Sequence, residues 1–255
     1  MDVSAYLARI GMARPDTADA ANLRELHRAH LTAVPFENLS IHLDEPITLT
    51  AEALFDKIVQ RRRGGFCYEL NGAFALLLEA LGYGVARLSA RVHGDGGFGP
   101  PFDHLALLVS TVDGADRWLV DVGFGSHSTY PLRFDARDEQ VDPGGRFTLH
   151  DAAEGDVEVS RDGKPQYRIE RRTRALADFG PTCWWQATSP ESHFTQSTIC
   201  SRNDGDGRIS ISGRKLILTN GAGRTEELLD TDDALRSAYR KHFGIVLSRL
   251  PARSG

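Results

Sequence analysis

Cysteine is scarce in this chain: Cys67, Cys183 and Cys200 are far apart and show no C-x-x-C spacing. An odd, dispersed set suggests neither a disulfide framework nor a zinc site. No apolar run approaches the ~18 residues needed to cross a bilayer. No basic run approaches a polybasic tract, and the formal charge is −5, so neither nucleic acid nor a membrane surface is an expected partner. The opening Met1-Asp2-Val3 lacks a basic leader followed by an apolar stretch, so the expectation is a reduced, cytoplasmic protein. H-E-x-x-H is absent, and His27 and His30 lack a carboxylate or cysteine beside them on their expected helix, so no metal is expected. Gly94-Asp95-Gly96-Gly97-Phe98-Gly99 has the glycine spacing of a dinucleotide fingerprint. Pro100-Pro101 and a strand follow it, where a phosphate-binding helix would have to start, and this excludes a Rossmann site. The run reads as a flexible loop and, just ahead of His104, a candidate cleft rim.

What is present is an ordinary globular composition, 41% apolar and 25% charged over 255 residues, enough for a sizeable core. The early chain reads as helical. Asp2 can cap a short amphipathic segment through Ile10, Thr17 to Leu31 is rich in Ala, Leu and Arg, and Thr50 can cap Ala51–Val59. Val34-Pro35-Phe36-Glu37-Asn38-Leu39 between them reads as extended. From Val85 the period changes to that of strands. His104–Val112 and Trp118–Val122 form a hairpin across Asp113-Gly114, and Val157–Val159 and Tyr167–Ile169 form another across Asp162-Gly163. Successive antiparallel hairpins suggest a barrel or sandwich. After Pro181 the pattern is mixed. Ile209–Ile211 pairs with Leu216–Leu218 across Gly213, and Thr231 caps a last helix that turns Leu235, Tyr239 and Phe243 inward.

Candidate chemistry centres on Arg63-Gly64-Gly65-Phe66-Cys67-Tyr68-Glu69-Leu70-Asn71. Leu70, Phe74, Leu77, Leu78 and Leu81 recur at helical spacing, which puts Cys67 at or just before the first turn. There the helix dipole and unpaired N–H groups favour a thiolate, the nucleophilic form. Arg61, Arg62 and Arg63 would add to this if turned inward. A small buried hydrophobe is the alternative for such a cysteine. His104 opens an apolar strand in which a polar residue is out of place. A turn at Asp113-Gly114 would set position 104 opposite about 123, with Asp121 in reach of the imidazole. A carboxylate fixes the tautomer of a histidine that can then deprotonate a thiol; the alternative is a structural His–Asp pair. Cys67, His104 and Asp121 together follow the logic of a catalytic triad. Glu37 and Arg63 are either a buried ion pair holding the Cys67 loop or two solvated charges.

These residues resemble a known family. Arg63–Asn71 is similar to the cysteine motif of the arylamine N-acetyltransferases, and Val34–Leu39 to their N-terminal signature. His104–Leu108, Asp121-Val122-Gly123-Phe124-Gly125, and Ser189–Thr195 with Cys200 are similar to later blocks, in the family's order over most of the chain. The resemblance implies an α+β fold: a helical bundle over 1–83 carrying Cys67, an antiparallel β-barrel over 84–180 carrying His104 and Asp121, and an α/β lid over 181–255, with a papain- or transglutaminase-like Cys-His-Asp core. It implies acetyl-CoA as donor, an arylamine or arylhydrazine as acceptor, and a ping-pong reaction through acetyl-Cys67. By resemblance Phe36 and Phe124 line the acceptor pocket, Gly125 and Phe194 lie near CoA, and Glu37–Arg63 is the buried pair. Rival readings are an amide synthase of the same superfamily, a transglutaminase-like thiol hydrolase, or an inactive binding scaffold. Oligomeric state stays open; a homo-oligomer is compatible with the sequence.

Overall fold

The computed structural model describes residues 2–112, 114 and 116–251. The chain starts with α1 (Val3–Ile10), where the Asp2 carboxylate accepts from the Ala5 N–H at 3.0 Å, as expected of the cap. The second helix, α2 (Ala20–Ala33), begins later than Thr17 because Asp19 takes the Asn22 N–H. Next come β1 (Phe36–Glu37), α3 (Leu39–His42) and α4 (Ala51–Phe55), the last capped by Thr50. The helix expected through Val59 loosens into one π-helical turn at Asp56–Gln60. Within that turn the Ile58 carbonyl accepts from Nε of buried Arg9 at 3.0 Å. The central helix, α5 (Cys67–Ala80), buries Leu70, Phe74, Leu77 and Leu78 completely.

Nine strands follow: β2 (Gly84–Gly94), β3 (Gly97–Phe98), β4 (His104–Ser110), β5 (Arg117–Val120), β6 (Leu132–Arg133), β7 (Gln140–Asp142), β8 (Gly145–Asp151), β9 (Val157–Arg161) and β10 (Lys164–Arg174). They form an antiparallel sheet in the order β6-β5-β4-β2-β10-β9-β8-β7, with β3 folded back on β2. The Gln140 side chain joins the two outer strands: its amide donates to the Arg133 carbonyl at 3.0 Å and accepts from the Arg133 N–H at 2.7 Å. The sheet is thereby a nearly closed barrel around Leu88, Ala90, Phe147, Val159, Tyr167 and Ile169. The glycine-rich run is the β2–β3 turn, and a strand follows it.

Strand β4 explains its own apolar run. Leu105, Leu107 and Val109 pack on the helical layer and Ala106 packs into the barrel, so both faces are covered. Leu107 faces Val120 and Val109 faces Trp118, a register that carries position 104 opposite 123 as expected. Asp113 of the expected turn lies outside the described residues.

The chain continues through α6 (Gly180–Thr188), α7 (His193–Gln196), β11 (Ile199–Asp204), β12 (Gly207–Ser212), β13 (Lys215–Asn220), β14 (Gly223–Leu228) and α8 (Asp232–Phe243), the last capped by Thr231. The second sheet runs β1-β11-β12-β13-β14. Phe36 and Glu37 thus lie beside Ser201 and Cys200, and Leu39 and Leu43 share a core with Ile211, Leu235, Tyr239 and Phe243. Among the described residues no helix is long and apolar enough to cross a membrane.

Candidate active site

The loop before Cys67 is packed backbone on backbone. Gly65 pairs with Phe36 in a parallel bridge, and the Glu37 N–H donates to the Gly65 carbonyl at 2.8 Å. A methyl group on Gly64 would lie 1.9 Å from the Pro35 carbonyl oxygen, and one on Gly65 2.6 Å from the Glu69 carboxylate. Only glycine permits this approach at both positions. The Arg63 guanidinium then grips Glu37 with Nε to Oε1 at 2.8 Å and a second nitrogen to Oε2 at 3.1 Å, and reaches Glu45 at 3.1 Å. Glu37 is fully buried and Arg63 nearly so, the buried pair rather than two solvated charges. Burial acts to raise the Glu37 carboxyl, but Lys57 and Arg63 together hold it below the usual carboxylate range. A second buried pair, Lys57 Nζ to Glu69 Oε1 at 2.6 Å, lies alongside, and there burial wins and pushes the Glu69 carboxyl up.

Cys67 occupies the first position of α5 and is buried, its thiol hydrogen-bonded to the His104 ring. His104 stands at the start of β4 and donates from Nε2 to Asp121 Oδ2 at 2.7 Å. The other ring nitrogen, Nδ1, is left for the thiol. Asp121 follows β5, and its Oδ1 accepts from Asn71 Nδ2 at 2.8 Å and from the Gly123 N–H at 3.0 Å. A methyl group on Gly123 would lie 2.8 Å from Cys67 Cα, so this glycine lets the Asp121 loop rest directly on α5. The structure therefore brings Cys67, His104 and Asp121 together in the order the sequence suggested.

Two residues that hold this arrangement carried no role in the sequence reading. Asn71 donates to the Leu105 carbonyl at 2.6 Å as well as to Asp121, and its Oδ1 accepts from the Val122 N–H at 2.9 Å. It clamps α5 to β4 and to the aspartate loop. A polar residue four positions after Cys67, on the same helix face, was the available signal. His27 on α2 accepts the Asp121 N–H at Nε2 (3.3 Å) and bonds the Thr129 carbonyl through Nδ1 at 2.9 Å. It tethers the loop to α2.

The electrostatics differ from the sequence expectation at one atom. For His104, burial pulls the imidazole down, but the Asp121 charge and hydrogen bond push it up to about 10. Asp121 is held well below its ordinary value: burial opposes ionisation, and His104 outweighs it. Cys67, expected to be depressed by the helix start, moves the other way. Burial pushes its thiol up, and the His104 hydrogen bond and charge pull it only part of the way back. Nor do the three arginines help. Arg63 is engaged with Glu37 and Glu45, Arg61 pairs with Asp56 at 2.8 Å at the surface, and Arg62 is exposed. A thiolate at Cys67 thus depends on the His104 imidazolium.

The thiol opens on a cavity of about 210 Å³ walled by Phe36, Phe124 and Phe194, with His104, Gly123, Val92, Asp103, Gln186 and His193 completing the lining. Gly125 lies behind the wall, its backbone at φ +91° against the Phe36 ring, rather than on the cavity surface. Larger cavities of about 510 and 840 Å³ carry none of Cys67, His104 or Asp121. Among the described residues no group of three or more His, Cys, Asp or Glu is placed to hold a metal ion.

Comparisons with known proteins agree with this geometry. Residues 19–251 match a family model described as N-acetyltransferase. The chain is 38% identical to an arylamine N-acetyltransferase of Mycolicibacterium smegmatis over 268 residues, covering 99% of this chain and 95% of that protein. An arylamine N-acetyltransferase of Mycobacterium tuberculosis is 32% identical, covering 99% and 92%. Among solved structures, the arylamine N-acetyltransferase of Mycobacterium marinum superposes with a TM-score of 0.88 at 34% identity, covering 96% of this chain and 93% of that one. The same protein in complex with CoA gives 0.87 at 33% identity over 96% and 93%. The fold is that of an acyltransferase with a papain-like core, the α+β class expected. The chain belongs to the arylamine N-acetyltransferase family.

Proposed function

We propose that the protein transfers an acetyl group from acetyl-CoA to an arylamine or arylhydrazine through an acetyl-Cys67 intermediate. The carrying observation is the buried Cys67–His104–Asp121 series opening on an aromatic-walled cavity. The Cys67 thiolate, paired with the His104 imidazolium, attacks the thioester carbonyl. The new C–S bond forms as the CoA sulfur departs with the proton of His104. An amine then attacks acetyl-Cys67, His104 takes the amine proton, and the Cys67 sulfur leaves as the amide forms. Asp121 orients the ring and holds its cationic form. The Cys67 N–H, at the first position of α5, has no intrahelical acceptor and is the natural donor to the tetrahedral oxyanion.

Phe36 and Phe124 are the acceptor walls, where flat rings suit a flat amine; Phe194 is the donor-side wall, and Gly125, off the cavity surface, serves by backing Phe36. A space of about 210 Å³ is below the usual range for a drug-sized ligand, roughly 300–1,000 Å³. It suits an acyl group and one small ring, with the CoA nucleotide outside it, and disfavours the polyketide of an amide synthase. In this reading residues 1–83 supply the nucleophile, 84–180 the base and its orienter, and 181–255 the lid; the protein works in the cytoplasm without a metal.

Intact-protein mass after mixing with acetyl-CoA alone, and then with an arylamine, tests the proposal. An acetyl adduct absent in Cys67→Ala and discharged by the amine is the expected result. A folded, thiol-reactive protein that forms no adduct would remove acetyl-CoA as donor.

A further inference from the structure

We infer that Asp103 sets the charge preference of the cavity at Cys67, admitting neutral or cationic acyl and amine groups and rejecting anionic ones. The inference rests on the acyl-transfer reading of that cavity. Asp103 directly precedes His104, after Phe102 has turned the backbone into the left-handed region at φ +63°. Its side chain is thereby part of the cavity wall together with Cys67 and His104.

Every hydrogen bond that fixes this carboxylate comes from a neutral donor. Oδ2 accepts from the Val92 N–H at 3.3 Å, and Oδ1 accepts from Gln186 Nε2 at 2.6 Å. Gln186 is itself fixed by the Ser192 hydroxyl at 2.7 Å, so the carboxylate is aimed by a relay reaching the cap of α7. Burial pushes the Asp103 carboxyl up, and these donors, with the neighbouring imidazoles, pull it part of the way back. Among the described residues no lysine or arginine pairs with Asp103; the basic side chains that act on it are the imidazoles of His104 and His193. His104 is already matched by Asp121 at 2.7 Å. Asp103 therefore adds a carboxylate to the site beyond the one that balances the imidazolium. The rest of the wall is largely aromatic, where a fixed charge is felt more strongly than in water.

The chemistry follows from size and sign. Acetyl and propionyl groups carry no charge to meet Asp103, whereas a malonyl or succinyl group brings a second carboxylate into a space of about 210 Å³. On the acceptor side, hydrazides and amines offer N–H donors to the free lone pairs of the carboxylate. An aminobenzoate brings a carboxylate of its own, which Asp103 repels. A purely structural role, pinning the β2–β3 hairpin through Val92 and α6 through Gln186, would give no such sorting.

Two alkylating reagents of equal size and leaving group, iodoacetamide and iodoacetate, separate these roles on the folded protein at pH 7, read at the Cys67 peptide by mass spectrometry. His104 stays protonated there and attracts iodoacetate equally in each variant, so its effect cancels. Asp103→Asn and Asp103→Ser are expected to raise the iodoacetate rate about tenfold and leave the iodoacetamide rate within about twofold. An unfolded variant would drift to the ratio of a free thiol, so the ratios are compared only between variants whose melting curves match that of the wild type. An unchanged ratio in both variants overturns the inference. As a companion, wild-type kcat/KM for 4-aminobenzamide should exceed that for 4-aminobenzoate about tenfold, with the gap closing in Asp103→Asn. A protein inert to acetyl-CoA whose reagent ratio still responds to Asp103 would sink the proposed function and leave the charge preference standing.

Discussion

Two buried acid–base pairs flank Cys67, and they are close to equal in geometry. His104 meets Asp121 at 2.7 Å on the strand side, and Arg63 meets Glu37 at 2.8 Å on the loop side. Each carboxylate is buried, and each is held below its ordinary value against the effect of burial, Asp121 by His104 and Glu37 by Lys57 and Arg63 together. The cations differ. A guanidinium binds through a rigid fork and does not give up a proton, so Arg63–Glu37 can only hold the loop in place. An imidazole can donate and retrieve a proton, and His104 faces both the thiol and the cavity. Burial and pairing alone therefore do not mark a reactive group. What marks it is a cation that can release its proton where a substrate can reach.

The sharpest way to break this contrast is His104→Gln. It removes the base and the charge that pulls Cys67 down, so formation of the acetyl adduct should fall by about 10⁴-fold in stopped mass measurements. Retention of a wild-type rate would make the His104–Asp121 pair structural after all. The matching change on the other side, Glu37→Gln, leaves a buried guanidinium half paired and should cost about 3–5 kcal/mol in urea unfolding. The fraction that stays folded should acetylate Cys67 within about threefold of wild type, since no proton moves through Arg63. A rate loss as large as that of His104→Gln would merge the two pairs into one machine.

The mildest separation is by pH. His104 is raised, so its contribution to stability is complete below its ordinary pKa, and it is lost as pH rises through about 10. Glu37 is lowered, so its contribution is complete above its ordinary pKa and is lost as pH falls through its lower native value. Melting temperature against pH should thus lose an alkaline limb in His104→Gln and an acid limb in Glu37→Gln. Limbs that stay in both variants would assign them to other groups.

Much of this arrangement was legible in the residues. Helical spacing placed Cys67 at the start of α5, and the hairpin register placed position 104 opposite 123, because both follow from local periodicity. The caps at Asp2, Thr50 and Thr231 are equally local. What stayed hidden depends on partners distant in sequence. Asn71 and His27 act by bonding the Asp121 loop, and no spacing rule links them to it. The Val34–Leu39 segment read only as extended because its neighbour in the sheet is β11. The direction of the Cys67 shift was misjudged for a related reason. A helix start is visible in sequence, but the depth at which it is buried is set by the whole fold.

That edge strand also has a meaning in time. The bond from the Ile199 N–H to Asn38 Oδ1 spans 161 residues, and Glu37 in the adjoining strand bonds the glycine loop that leads into Cys67. During synthesis, a chain that has already formed Cys67 must wait for β11 before the loop behind that residue is braced. Long-range closure of this kind is slow to form, because loop entropy is lost before the contacts reward it. The loop behind Cys67 is thus among the last parts of the molecule to be braced, and a chain cut short before Ile199 would carry every member of the Cys67–His104–Asp121 series without the brace that seats it.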